Sequence, residues 1–310
     1  MYISRLKDIV DTYDRFCIHR INGLKAFFVL ELMFLFHFIY TVPNPYFYYF
    51  YVPLTAFAAE LAGNSLEEKS LFLFLTLTSC TIVIFLFDIA SEYKTFFVFF
   101  VFFVSLFLYY IAVYKLKGFF VAAPLILSLG AYSLIYGDTN TNFYVALNNA
   151  LETLVAMLIM LLGLYVFPKS YYLIIWRRAF YDVLVNLEQI TAKICKEDVK
   201  TIHIVSGIIV MERHSKMLSK KMKYYSILKI TILSFDLIMA MSYLISFQKT
   251  VNIHYVVVLN KYIKLLRDAC LKQQPIEIEP HEVAVMEETH ELRTLNQIIL
   301  SWNRLCLDQW

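Results

Sequence analysis

LFLFLTLTSCTIVIFLF, residues Leu71 to Phe87, contains no charged side chain. As a helix it would rise about 26 Å, and roughly 17 to 25 apolar residues carry a helix across the hydrocarbon core of a bilayer. Comparable runs lie on both sides of it, at Leu24 to Tyr40, Tyr46 to Gly63, Thr95 to Tyr114, Gly118 to Tyr136 and Leu147 to Phe167. The connections are short, and Pro43-Asn44-Pro45, Gly63-Asn64-Ser65 and Gly137-Asp138-Thr139-Asn140 mark reversals. The fold expected is an all-α integral membrane protein, with a six-helix transmembrane bundle over 24–168. Pro53 and Pro124 fall inside these runs, where a missing backbone donor needs support from neighbouring helices.

Composition agrees. Of the 310 residues 60% are hydrophobic, 17% aromatic and 17% charged, against roughly 25% charged in a soluble domain. Charges crowd the first 25 positions and the chain beyond Pro168. Arg5, Lys7, Arg15, Arg20, Lys25, Lys69, Lys115, Lys117, Lys169, Arg177 and Arg178 collect on one side of the six runs, and Lys94 alone on the other. The positive-inside rule then puts the N-terminus and the C-terminal region in the cytoplasm of a multi-pass inner (plasma) membrane protein. The segment 1–23 carries Asp8, Asp11 and Asp14, and reads as an amphipathic cytoplasmic surface helix and not as a cleavable leader.

Beyond Pro168 the period changes. Leu173, Trp176, Phe180, Val183, Leu187, Ile190 and Ile194 recur at steps of three and four. The same spacing returns at Leu259, Tyr262, Ile263, Leu266 and Cys270, and at Leu295, Ile299, Trp302 and Leu305. A helical cytosolic domain over 169–310 is expected. Within it, Ile230 to Phe247 is apolar apart from Asp236 and a few hydroxyls. It reads either as a buried central or dimer-interface helix of that domain, or as a seventh span at 230–247 that would carry the C-terminus outside.

Ionisable residues inside spans are costly and mark candidate sites. Glu31 lies mid-span in the first run, with His37 six residues on, about 600° around an ideal helix, so the two do not share a face. Glu60 lies near the cytoplasmic end of the second span, and Glu152 near the outer end of the sixth beside Asn148 and Asn149. Each reads either as part of a proton relay, since burial brings a carboxylate toward neutrality, or as a satisfied or interfacial polar group. Asp88, close to a span end, reads as interfacial.

Enzyme chemistry finds little support. Cys17, Cys80, Cys195, Cys270 and Cys306 form no CxxC pair, so neither zinc nor a disulfide framework is indicated. With 7 glycines and no phosphate-binding loop, ATP hydrolysis is not expected. His281, Glu282, Glu287, Glu288, His290 and Glu291 include one Glu-x-x-His spacing, but a di-iron bundle needs a second copy, and a solvated acidic face is the simpler account. No cofactor, metal, nucleic-acid partner or enzymatic activity is expected.

Three features together carry a family likeness: Pro45-Tyr46 leads through Tyr51-Val52-Pro53-Leu54-Thr55 into the second span, Gly163 and Phe167-Pro168 close the sixth, and an amphipathic helix follows. The arrangement resembles the fusaric acid resistance and aromatic acid exporter superfamily, six membrane helices followed by a helical cytoplasmic domain. The resemblance implies efflux of aromatic or other organic acids, or a related small amphipathic compound, by a half-length chain working as a homodimer. For such a substrate Lys25, Lys115, Lys117, Lys169, Arg177 and Arg178 would form an anion-attracting cytoplasmic mouth. Topology and contact with anionic lipid would put the same charges there without a substrate. The absence of Lys and Arg at mid-membrane depth favours a proton-coupled carrier over an open anion channel. Tyr46, Tyr48, Tyr49, Tyr51 and the run Phe96 to Phe103 read as interfacial and lipid-facing aromatics, or as stacking partners for an aromatic substrate. The alternative function is a membrane-anchored helical scaffold that recruits a cytosolic partner through the surface of Leu173 to Ile194.

Overall fold

The structure is a computed structural model describing residues 10, 12–40, 51–63, 65–136, 143–168, 170–195, 206–218, 225–246 and 253–308. Among these residues there is no strand, and six helices are long and apolar enough to cross a membrane. The chain divides into two compact units, His19–Pro168 and a second made of Met1–Ile18 with Lys169–Trp310.

The first unit contains α1 (Ile18–Ile39), α2 (Val52–Ala62), α3 (Leu66–Ala90), α4 (Lys94–Tyr110), α5 (Ala122–Tyr136) and α6 (Phe143–Val166). The run read first in the sequence lies within α3, which is the hub of the unit and packs on α2, α4, α5 and α6. Its start follows from local chemistry: the Ser65 hydroxyl accepts from the Glu68 amide at 3.1 Å, and Glu67 and Glu68 complement the helix dipole. Phe72, Thr76, Cys80, Ile84 and Phe87 then bury one side of α3. Its hydroxyls bond back to the turn before them, Thr76 to the Phe72 carbonyl at 2.7 Å and Thr81 to that of Leu77 at 2.9 Å. These two donors are thereby satisfied in an apolar setting.

The two prolines expected inside spans differ. Pro53 occupies the first turn of α2, where no amide partner is lost. Pro124 lies inside the apolar helical run Lys117–Ile135, just after the 3-10 turn, Lys117–Val121, that leads into α5. The described helix at the second expected span is 11 residues long, too short to cross by itself; residues 41–50, with Tyr46, Tyr48 and Tyr49, lie outside the described residues. Helix α4 ends in a π turn, Ile111–Lys115, and points Phe96, Phe99, Phe102, Phe103 and Phe107 outward.

The second unit contains α7 (Ser170–Ile194), α8 (Ser206–Ser215), α9 (Tyr225–Ser246), α10 (Ile253–Lys272), α11 (Pro280–Met286) and α12 (His290–Asp308). The periodic residues of α7 are its core: Trp176, Phe180, Val183 and Leu187 are buried. Trp176 stacks on Phe180 at 5.4 Å between centroids, and Phe180 lies 5.8 Å from Trp302 of α12. Polar ties fix the register. Trp176 Nε1 donates to Thr231 Oγ1 of α9 at 3.0 Å, Thr191 Oγ1 donates to Asn260 Oδ1 of α10 at 2.8 Å, and Arg267 of α10 pairs with Glu188 of α7. The Asn303 side chain clasps the Ile276 amide and carbonyl, both at 2.8 Å, and holds the breaker between α10 and α11 against α12.

The sequence left the apolar run at Ile230 to Phe247 with two readings. The structure makes it α9, long and apolar enough to cross a membrane and also packed along α12, α8 and α7.

Candidate functional site

Two polar clusters occupy opposite ends of the first unit. One begins with Lys25, in the second turn of α1. Its Nζ donates to Glu60 Oε1 of α2 at 2.6 Å, and Lys69 Nζ of α3 reaches the same oxygen at 3.2 Å. All three side chains are buried, and Lys25 also lies 5.6 Å from the centre of the Phe167 ring. One carboxylate oxygen thus serves two buried ammonium groups. Such an arrangement withstands burial only while every charge keeps a partner.

The other cluster centres on Asp88, in the last turn of α3 and 1% exposed. Asn149 Nδ2 of α6 donates to Asp88 Oδ2 at 2.9 Å, and Ser133 Oγ of α5 lies 3.3 Å from Oδ1. Three helices thus converge on one carboxylate through neutral donors, and no ion pair to Asp88 occurs among the described residues. The group can gain or lose a proton without breaking an ion pair. Lys69 and Asp88 are nineteen positions apart on α3, about 28 Å at 1.5 Å per residue, so the clusters are separated by roughly the thickness of a bilayer core.

The other residues singled out in the sequence fall elsewhere. Glu31 is on the exposed face of α1 among Phe27, Phe34, Leu35 and Phe38, and no hydrogen bond or ion pair of its side chain occurs among the described residues. His37 is half-buried further along α1, and Glu152 accepts from Asn148 Nδ2 at 2.6 Å on the outer side of α6. Glu60 therefore joins Lys25 and Lys69, and the structure does not gather Glu31, Glu60 and Glu152 into one relay. Lys115 and Lys117 are exposed around the turn between α4 and α5, whereas Lys25 is fully engaged inside.

In the second unit Arg177 and Arg178 line a cavity of about 490 Å³ with Arg15, Tyr181, Asp182 and Cys270. Arg15 pairs with buried Asp182 in that lining. Burial pushes the Arg177 guanidinium below its ordinary value, and burial raises the neighbouring Cys270 and Cys306 thiols to about 12 and about 11. The acidic stretch near α11 is dispersed: Glu282 pairs with Lys261 at 2.6 Å and His281 with Glu279 at 3.2 Å. Among the described residues no three His, Cys, Asp or Glu side chains converge as metal ligands.

From the sequence Lys69 stood only among the basic flanks and Asn149 only beside Glu152, and Ser133 carried no signal. Asp88 was visible as an acid closing an apolar run, but its partners lie 45 and 61 positions away and no local spacing announces them. The chain matches no family model, no characterised protein and no solved structure.

Proposed function

We propose that the chain is a multi-pass transporter of the inner membrane that exports aromatic or other organic acids, or a related small amphipathic compound, coupled to protons. The observation that carries this reading is Asp88: a buried carboxylate at the meeting point of three apolar helices, held among the described residues by the neutral donors Asn149 and Ser133. A fixed structural charge would be expected to have a cationic partner, as Glu60 has. A carrier group must instead change protonation while the bundle stays intact. The Lys25–Glu60–Lys69 cluster at the other end then acts as a lock whose opening exposes cationic groups to an organic anion. The basic residues Lys69, Lys115, Lys117, Arg177 and Arg178 support a cytoplasmic N-terminus and C-terminal region, and no step of the cycle requires a cofactor.

The experiment is flux of labelled aromatic and dicarboxylic acids in proteoliposomes, with and without an imposed pH gradient. Wild type, Asp88→Asn and Glu31→Gln are compared. Asparagine keeps the size and hydrogen-bonding capacity of Asp88 but cannot carry a proton. Gradient-driven flux is expected to vanish in Asp88→Asn and to persist in Glu31→Gln. Folded wild-type protein that moves none of the acids would overturn the reading in favour of a membrane-anchored helical scaffold.

A further inference from the structure

Helix α9 has two faces. Ile227, Ile230, Ser234, Leu237 and Met241 are buried in the second unit. On the other side Leu228, Ile232, Phe235, Met239 and Tyr243 are 42%, 56%, 53%, 44% and 65% exposed. With Tyr225 they lie within about 80° of arc over about 27 Å of helix, an unbroken apolar stripe. Lipid does not suit the surroundings. Helix α12 runs along α9 and turns Arg293, Gln297 and Arg304 outward beside Leu300 and Leu307, so two guanidinium groups would have to share the same hydrocarbon layer. In water, the stripe requires an apolar cover.

The edge of the stripe indicates which cover. Lys229 and Asp236 flank it on the same side, two helical turns apart and too distant to meet each other. Neither has an ion-pair partner among the described residues. In an antiparallel helix pair the same flanks face one another, and a two-fold axis midway between these residues, beside Ile232, sets Lys229 of each copy opposite Asp236 of the other. A parallel two-fold pair would put the two charged flanks on opposite sides of the seam, where neither Lys229 nor Asp236 meets its counterpart in the other copy. We propose that a second copy of this chain docks here, α9 against α9 in antiparallel register, with the apolar stripes in contact and two reciprocal Lys229–Asp236 ion pairs at the rim. The inference does not depend on the transport reading.

The test is the mass of the full chain in mild neutral detergent at low micromolar concentration, by light scattering, for wild type, Ile232→Arg, Lys229→Asp, Asp236→Lys and the double reversal. Wild type is expected to be a dimer and Ile232→Arg a monomer with an unchanged melting temperature, because the side chain lies outside the fold. Either single reversal should weaken dimerisation roughly tenfold, and the double reversal should restore it to near wild type. A monomeric wild type, or a dimer that survives Ile232→Arg, overturns the proposal. A double reversal no better than the singles overturns the antiparallel register.

Discussion

Lys25 Nζ and Glu60 Oε1 stand 2.6 Å apart, on helices α1 and α2, with side chains only 2% and 6% exposed. Helix α1 otherwise has wide apolar faces turned outward, including Leu24, Phe27, Phe34, Leu35 and Phe38. Two features therefore position it: this ion pair, and the close approach of Gly163 on α6, where an added Cβ would lie 3.0 Å from Val29. The pair joins the first helix of the unit to its hub, because Lys69 of α3 shares the same carboxylate oxygen.

Removing the shared anion should cost more than removing one cation. Glu60→Gln takes the shared carboxylate away from two buried ammonium groups and is expected to destabilise the protein by about 3–5 kcal/mol. Lys25→Met leaves the Glu60–Lys69 pair in place and should cost clearly less. Thermal unfolding in detergent checks the order, and an equal or larger loss for Lys25→Met would mean that Lys69 does not neutralise Glu60.

Two glycines in helices should respond oppositely to alanine. At Gly130 of α5 a Cβ would meet Val83 Cγ1 at 2.7 Å and Phe87 Cδ2 at 2.9 Å, against the buried face of α3. Gly130→Ala is expected to cost about 1–3 kcal/mol through overpacking, and to lower flux as well, since Asp88 and Ser133 flank that contact. At Gly23 of α1 nothing lies within 4 Å, so Gly23→Ala should stabilise by about 0.5–1 kcal/mol from helix propensity alone. Melting temperatures of the two variants, moving in opposite directions, are the check.

How much of this was legible in the sequence depends on the range of the signal. The run at Leu71 to Phe87 gave α3 because a charge-free stretch of that length has one economical solution in a bilayer. The spacing from Trp176 to Leu187 gave the buried side of α7 because helical period and burial are the same fact seen twice. Pro53 misled because hydropathy does not distinguish the first turn of a helix from its interior, whereas Pro124 does lie inside an apolar helical run. Ile230 to Phe247 stayed ambiguous for a deeper reason. A helix covered by protein on one side and carrying an apolar docking stripe on the other has the composition of a membrane span. The Asp88 cluster could not be read because it joins three helices through residues far apart in the chain.

Cysteine reactivity should separate by environment. A thiolate is the attacking form, and burial holds Cys270 and Cys306 at about 12 and about 11, so both remain protonated thiols at pH 8. Cys195 is only half-buried. Maleimide labelling of the folded protein at pH 8 is expected to modify Cys195 while Cys270 and Cys306 react only after unfolding. Peptide mass mapping reads the outcome, and rapid labelling of Cys270 in folded protein would show that α7 and α10 part at that point.

The bond from Trp176 Nε1 to Thr231 Oγ1 tests whether α9 belongs to the second unit. Trp176 is fully buried, and Thr231 also donates to the Ile227 carbonyl at 2.8 Å, so Trp176→Phe removes one donor while keeping an aromatic ring against Phe180. The expected loss is about 1 kcal/mol for the bond, with a little more for the smaller ring. Trp176→Ala should cost about 3–5 kcal/mol because it opens a cavity where α7, α9 and α12 meet. If α9 instead left the bundle to cross a bilayer, Thr231 would go with it. Trp176→Phe and Thr231→Val would then have independent effects. Inside the bundle they remove the same bond, so the double variant should be no less stable than the weaker single variant by more than about 0.5 kcal/mol. Chemical denaturation of the two single variants and the double variant closes that cycle, and strict additivity would dissociate α9 from α7.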